Sequence, residues 1–92
     1  AMSIELLTRF RNLCAGMSQA PGMYGSPAEC AAMLYGAGTM LGLSRDEWYA
    51  TLGALGLTRG NRVLPIETDA TVRALAGYLS ETAPQWVNGG TP

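Results

Sequence analysis

The chain contains no histidine and no lysine among its 92 residues, and each absence removes a body of chemistry. Without imidazole there is no side chain that ordinarily titrates near neutrality, and the commonest transition-metal ligand is missing. Without lysine, Schiff-base chemistry is out of reach. Charge is also scarce, at 14% of residues against about 25% in an average soluble domain. All six cations are arginine, scattered from Arg9 to Arg73, and the net charge is −1. Nucleic-acid binding draws its affinity from several phosphate contacts, so a nucleic-acid partner is not expected. No apolar run approaches the about 20 residues of a bilayer span, so no membrane partner is expected either.

Nucleotide and hydrolase chemistry find equally little support. Gly36-Ala37-Gly38 and Gly53-Ala54-Leu55-Gly56 lack the following Lys-Ser/Thr or strand–turn–helix setting of a phosphate loop. The acidic pairs Asp46/Glu47 and Glu67/Asp69 fall where helix starts are predicted, and capping explains them better than a glycosidase cleft. No cofactor or metal is expected, and the chain reads as a binding protein rather than an enzyme. The segment from Ser3 to Arg9 has neither a basic nor a long apolar region, which reads as a cytoplasmic protein, or a periplasmic one if a signal segment has been removed.

What the chain does have is 48% hydrophobic residues set at helical spacing. Length suits one domain over 2–87 with a frayed tail over 88–92. Ile4, Leu7, Phe10, Cys14 and Met17 recur at three- and four-residue steps, predicting a helix over 3–17 capped by Ser3. Pro21-Gly22 then predicts a turn. Ser26-Pro27-Ala28-Glu29 combines an N-cap, a first-turn proline and a capping-box glutamate, so a second helix starts at Pro27 and stops near Gly42. Its predicted buried face is Cys30, Met33, Leu34, Ala37, Met40 and Leu41. Ser44 and Glu47 repeat the box for a third helix, with Trp48, Leu52 and Leu55 along one face until Gly56.

From 57 to 67 the pattern becomes a polar turn and a brief extended stretch restricted by Pro65, an edge strand being the less favoured reading. Thr68 or Asp69 then caps a fourth helix bearing Val72, Leu75, Ala76 and Leu79, which is expected to end before Pro84. The fold class is therefore all-α, a compact bundle of four helices joined by short loops.

Cys14 and Cys30 are the only thiols. They are a candidate disulfide, worth roughly 3 kcal/mol by loop closure. Their placement on apolar faces, with no signal segment in view, favours buried free thiols. Neither has a histidine to act as a base, so a catalytic cysteine is not expected. Met23, Tyr24, Trp48, Tyr49 and Trp86 are candidate interface anchors, although Tyr24 and Trp48 serve equally well as core plugs.

Pro21-Gly22-Met23-Tyr24-Gly25-Ser26, followed by a helix holding Leu34-Tyr35-Gly36, resembles a pattern in small bacterial proteins of the toxin-immunity kind. A similar hexapeptide occurs in gyrase-type ATPases, whose longer chains carry nucleotide-binding motifs absent here. Leu13-Cys14, Cys30 before Tyr35-Gly36, Leu64-Pro65 and Tyr78-Leu79 resemble the periplasmic immunity proteins of type VI secretion amidases. That likeness implies a helical, disulfide-containing dimer that plugs the amidase cleft. The chain departs from it in having no cysteine at Val63-Leu64-Pro65 and in the additional helix beginning at Ser44. Both likenesses imply an inhibitor of a toxin protein. Under that reading Met23 and Tyr24 anchor a partner while Arg59 and Arg62 pair with its acidic groups. The alternative is an adaptor module that acts through a homodimer or larger assembly.

Overall fold

The computed structural model describes residues 2–87, with side chains from residue 4 onward, so the expected tail over 88–92 lies outside the described residues. Four helices carry the fold: α1 (Met2–Gln19), α2 (Pro27–Met40), α3 (Arg45–Ala54) and α4 (Asp69–Val87). A 3-10 turn, Pro21–Met23, joins α1 to α2, and a hairpin of β1 (Thr58–Arg59) and β2 (Arg62–Val63) joins α3 to α4. The chain is all-α but for that hairpin.

Local chemistry punctuates α2 and α3 in the same way. At each start a serine hydroxyl accepts the N–H of the residue three on, Glu29 or Glu47, and that glutamate accepts the serine N–H, both at 2.8 Å. The reciprocal bonds satisfy two of the N–H groups that a helix start leaves free. Hydrogen bonding from Ser26, chiefly its backbone N–H, holds the Glu29 carboxyl below its ordinary value. At each end a glycine turns left-handed, Gly42 at φ +114° and Gly56 at φ +73°. The next N–H then reaches back five residues, Leu43 to the Gly38 carbonyl and Leu57 to the Leu52 carbonyl. This double closure needs a residue at positive φ, which L side chains disfavour.

The core is built chiefly between α1 and α4. Phe10, Cys14 and Met17 meet Val72, Leu75, Ala76, Leu79, Ala83 and Trp86, with Cys30, Ala31 and Leu34 of α2 and Leu43 closing the cluster. The Trp86 ring stands edge-on to Phe10 at 5.4 Å between centroids. Leu43 lies over Gly38 so closely that a Cβ there would meet its Cδ2 at 2.8 Å.

Several expectations are corrected. The first helix starts at Met2 and therefore contains Ser3 instead of being capped by it. The fourth runs through Pro84 to Val87, and Trp86, a candidate interface anchor, is a core residue instead. A proline offers no N–H to the carbonyl four residues back, and here that carbonyl, of Ser80, accepts the Arg11 Nε–H at 3.1 Å instead. Thr68 rather than Asp69 provides the cap, its hydroxyl accepting the Thr71 N–H. The 57–67 stretch forms an antiparallel ladder, with Gly60 at φ +62° as the first residue of a two-residue turn. Glycine at that position is what a type II′ hairpin turn requires. Ile4, Met33 and Met40 lie exposed and not on the buried face. α2 is apolar nearly all round, so its periodicity does not select one side.

Candidate protein-binding surface

The 3-10 turn is held from several sides. Pro21 is buried, and its carbonyl accepts both the Tyr24 N–H at 2.9 Å and the Cys30 thiol at 3.3 Å. Tyr24 is half-buried against the core, and its hydroxyl sits where a side chain on Gly16 would lie. The Arg73 guanidinium donates to the Ser18 carbonyl at 2.9 Å, placing a cation at the C-terminal end of α1 where the helix dipole favours one. Out of this fixed turn projects Met23, 84% exposed. Of the two residues expected to anchor a partner here, Met23 is free to do so, while Tyr24 supports the turn.

Cys14 and Cys30 are free thiols, both buried, so the candidate disulfide is not formed. Burial pushes the Cys14 thiol up to about 12 and raises Cys30 as well. A thiol so far from ionisation is a poor nucleophile. Among the described residues no group of three or more Cys, Asp or Glu side chains is placed to hold a metal ion. No described helix is long and apolar enough to cross a membrane.

Arg59 and Arg62 are directly opposed in the hairpin and both are exposed. Opposed residues share one face of a ladder, and like charges there are unfavourable. No carboxylate among the described residues stands within ion-pair distance of either. Their neighbours Thr58 and Val63 occupy the other face, which with Tyr49, Gly60 and Asn61 borders an open notch of about 360 Å³. Hence the turn carrying Met23 and the hairpin carrying the two arginines belong to separate elements. The first packs on α1, α2 and α4, and the second adjoins α3.

Two features were not singled out from the sequence. On α3 the Arg45 guanidinium lies over the Tyr49 ring at 5.6 Å, a pairing foreshadowed by their four-residue spacing. Beside it Trp48 meets Tyr35 of α2 with ring centroids 4.9 Å apart. The other feature is an apolar groove of about 320 Å³ between α1 and α2, lined by Leu6, Phe10, Leu13, Ala37, Met40 and Leu41, with Arg9 at its margin. Its signal was present in the sequence as apolar residues in excess of what one helix stripe needs. Comparison of the chain with protein-family models, curated proteins and solved structures finds no match.

Proposed function

We propose that this domain acts by binding another protein and blocking it, as an immunity protein does when it occludes the active site of a toxin. The observation that carries the reading is Met23, 84% exposed on a turn that a buried proline, a tyrosine and a thiol hold fixed. An apolar side chain displayed on a pre-ordered loop loses little freedom on binding, which is how a few anchors come to dominate an interface. The two free thiols support a reducing compartment, the cytoplasm rather than the periplasm.

The test is co-expression with the product of the adjoining reading frame. Under this reading the wild-type chain restores growth and co-purifies with that product in fixed stoichiometry. Met23→Asp should weaken the complex by at least about tenfold while leaving the helical circular dichroism unchanged. Full protection by that variant would remove Met23 from the contact surface, and a neighbour that neither harms the host nor binds would remove the inhibitor reading.

A second reading has its own support. The groove between α1 and α2, with Met40 87% and Ile4 72% exposed nearby, suits self-association of an assembly module. Sedimentation separates the two readings. An adaptor gives a concentration-dependent assembly that Met40→Asp dissolves and takes up no toxin, whereas an inhibitor sediments with the added toxin in fixed stoichiometry.

A further inference from the structure

Arg11 and Arg73 brace one pair of helices from opposite ends. The Arg11 Nε–H donates from α1 to the Ser80 carbonyl of α4 at 3.1 Å, and the Arg73 Nε–H donates back from α4 to the Ser18 carbonyl of α1 at 2.9 Å. Each arginine stands seven residues before the serine of its own helix. At that spacing Arg11, Cys14, Ala15 and Ser18 share one face of α1, and Arg73, Ala76, Gly77 and Ser80 share one face of α4. Between the two braces lies a groove of about 270 Å³, lined by the small residues and serines of those stripes with Glu81, all from α1 and α4 and none from α2 or α3. Only the Nε–H of each guanidinium is used within the fold, and neither arginine has a carboxylate within ion-pair distance among the described residues. The terminal N–H groups of both forks therefore face outward unspent. Seven residues of helix set the two forks about 10 Å apart along the groove.

We infer that the groove between α1 and α4 seats a helix of a partner protein whose carboxylates stand seven residues apart. Charge complementarity and spacing together select this occupant. A helix laid along the groove has the same rise per residue as its walls, so acids at its positions i and i+7 lie about 10 Å apart on one face and meet Arg11 and Arg73 at once. A carboxylate on a guanidinium fork is the strong form of such a contact. The Nε bonds restrict both side chains in advance, so little freedom is lost on binding. The floor also suits a helix. Gly77 lies inside α4, where glycine costs stability relative to alanine, yet a Cβ there would meet nothing within 4 Å in the domain. Glu81, the one acid on the wall, opposes the partner's carboxylates. This inference rests on the reading of the chain as a protein-binding domain and adds a contact in which Met23 takes no part.

The experiment is a titration of the nitrogen-15-labelled domain with alanine- and glutamine-rich helical peptides of about 16 residues. One carries glutamates at i and i+7, a second at i and i+5 on opposite faces, and a third has glutamine at both places. Sebacate, a dicarboxylate of similar span, is the fourth probe. The i, i+7 peptide is expected to shift the amides of residues 11–18 and 73–81 and the Arg11 and Arg73 Nε–H signals. It should bind at least about tenfold more tightly than the other probes and weaken at high salt. Gly77→Leu has room in the free domain and favours the helix. That variant should keep or raise the melting temperature and lose the peptide. Arg11→Gln and Arg73→Gln should each weaken binding by about tenfold, and Glu81→Gln should tighten it.

No preference for the i, i+7 spacing, shifts confined to α2 and α3, undiminished binding by Gly77→Leu, or sebacate binding as tightly as the peptide would each overturn the proposal. Growth protection separates it from the inhibitor reading. If Gly77→Leu protects fully while Met23→Asp does not, this seat falls and the inhibitor reading stands. If the peptide binds as described but the adjoining gene product neither harms the host nor binds, the reverse holds.

Discussion

Glycine in a helix costs about 1 kcal/mol relative to alanine, yet Gly16 sits inside the last turns of α1. Its reason is a neighbour: a methyl group there would collide with the Tyr24 hydroxyl. Tyr24 is itself wedged against the core and bonded through its N–H to the Pro21 carbonyl, so it has little room to retreat. Gly16→Ala should therefore fail to give the usual helical gain in the wild type. In a Tyr24→Phe background, which lacks the hydroxyl, the same substitution should be more favourable by about 1 kcal/mol. Urea denaturation of the four proteins of that cycle measures the coupling, and additivity would show that the hydroxyl does not crowd Gly16. Single-residue chemistry of this kind is only partly legible in a sequence. Ser26, Glu29, Ser44 and Glu47 were read correctly because a capping box is a local contact with fixed spacing. Tyr24 was left open between anchor and plug because its ring meets α1, and nothing in the intervening residues fixes that meeting.

Elements go wrong in a sequence reading where a distant residue repairs a local fault. Pro84 signals a helix end, since its ring removes the bond to the Ser80 carbonyl and crowds it. That signal does not include Arg11, distant in sequence, which takes the freed carbonyl and allows α4 to continue until Trp86 is buried. The two residues should then behave as a coupled pair. Pro84→Ala restores an N–H for Ser80 and is expected to raise the melting temperature. Arg11→Ala should cost up to roughly 1 kcal/mol in the wild type and close to nothing beside Pro84→Ala. Equal costs in both backgrounds would mean that the guanidinium does no more than rest on the surface. The hairpin was missed for a different reason: Gly60-Asn61 is itself a hairpin signal, but strands of two residues have no alternation to support it. Its outer edge is short by construction. Pro65 stands two positions after Val63 on the outward side, where it has no N–H to offer a further strand.

Across the whole molecule the helices are not equally anchored. The contiguous core takes Phe10, Cys14 and Met17 from α1, Cys30, Ala31 and Leu34 from α2 and six residues from α4. From α3 it takes none outright: Leu52 is buried apart from that cluster, and Trp48 and Leu55 only lean on it. An element that contributes little to the shared core opens at lower free energy than the domain as a whole. The α3 and hairpin amides should accordingly exchange with solvent through local opening, while the inward amides of α1 and α4 wait for global unfolding. The gap in protection between the two sets should be at least about 1 kcal/mol. Hydrogen exchange followed by mass spectrometry reads the difference. Uniform protection in the free domain would show that α3 is held as firmly as the core helices.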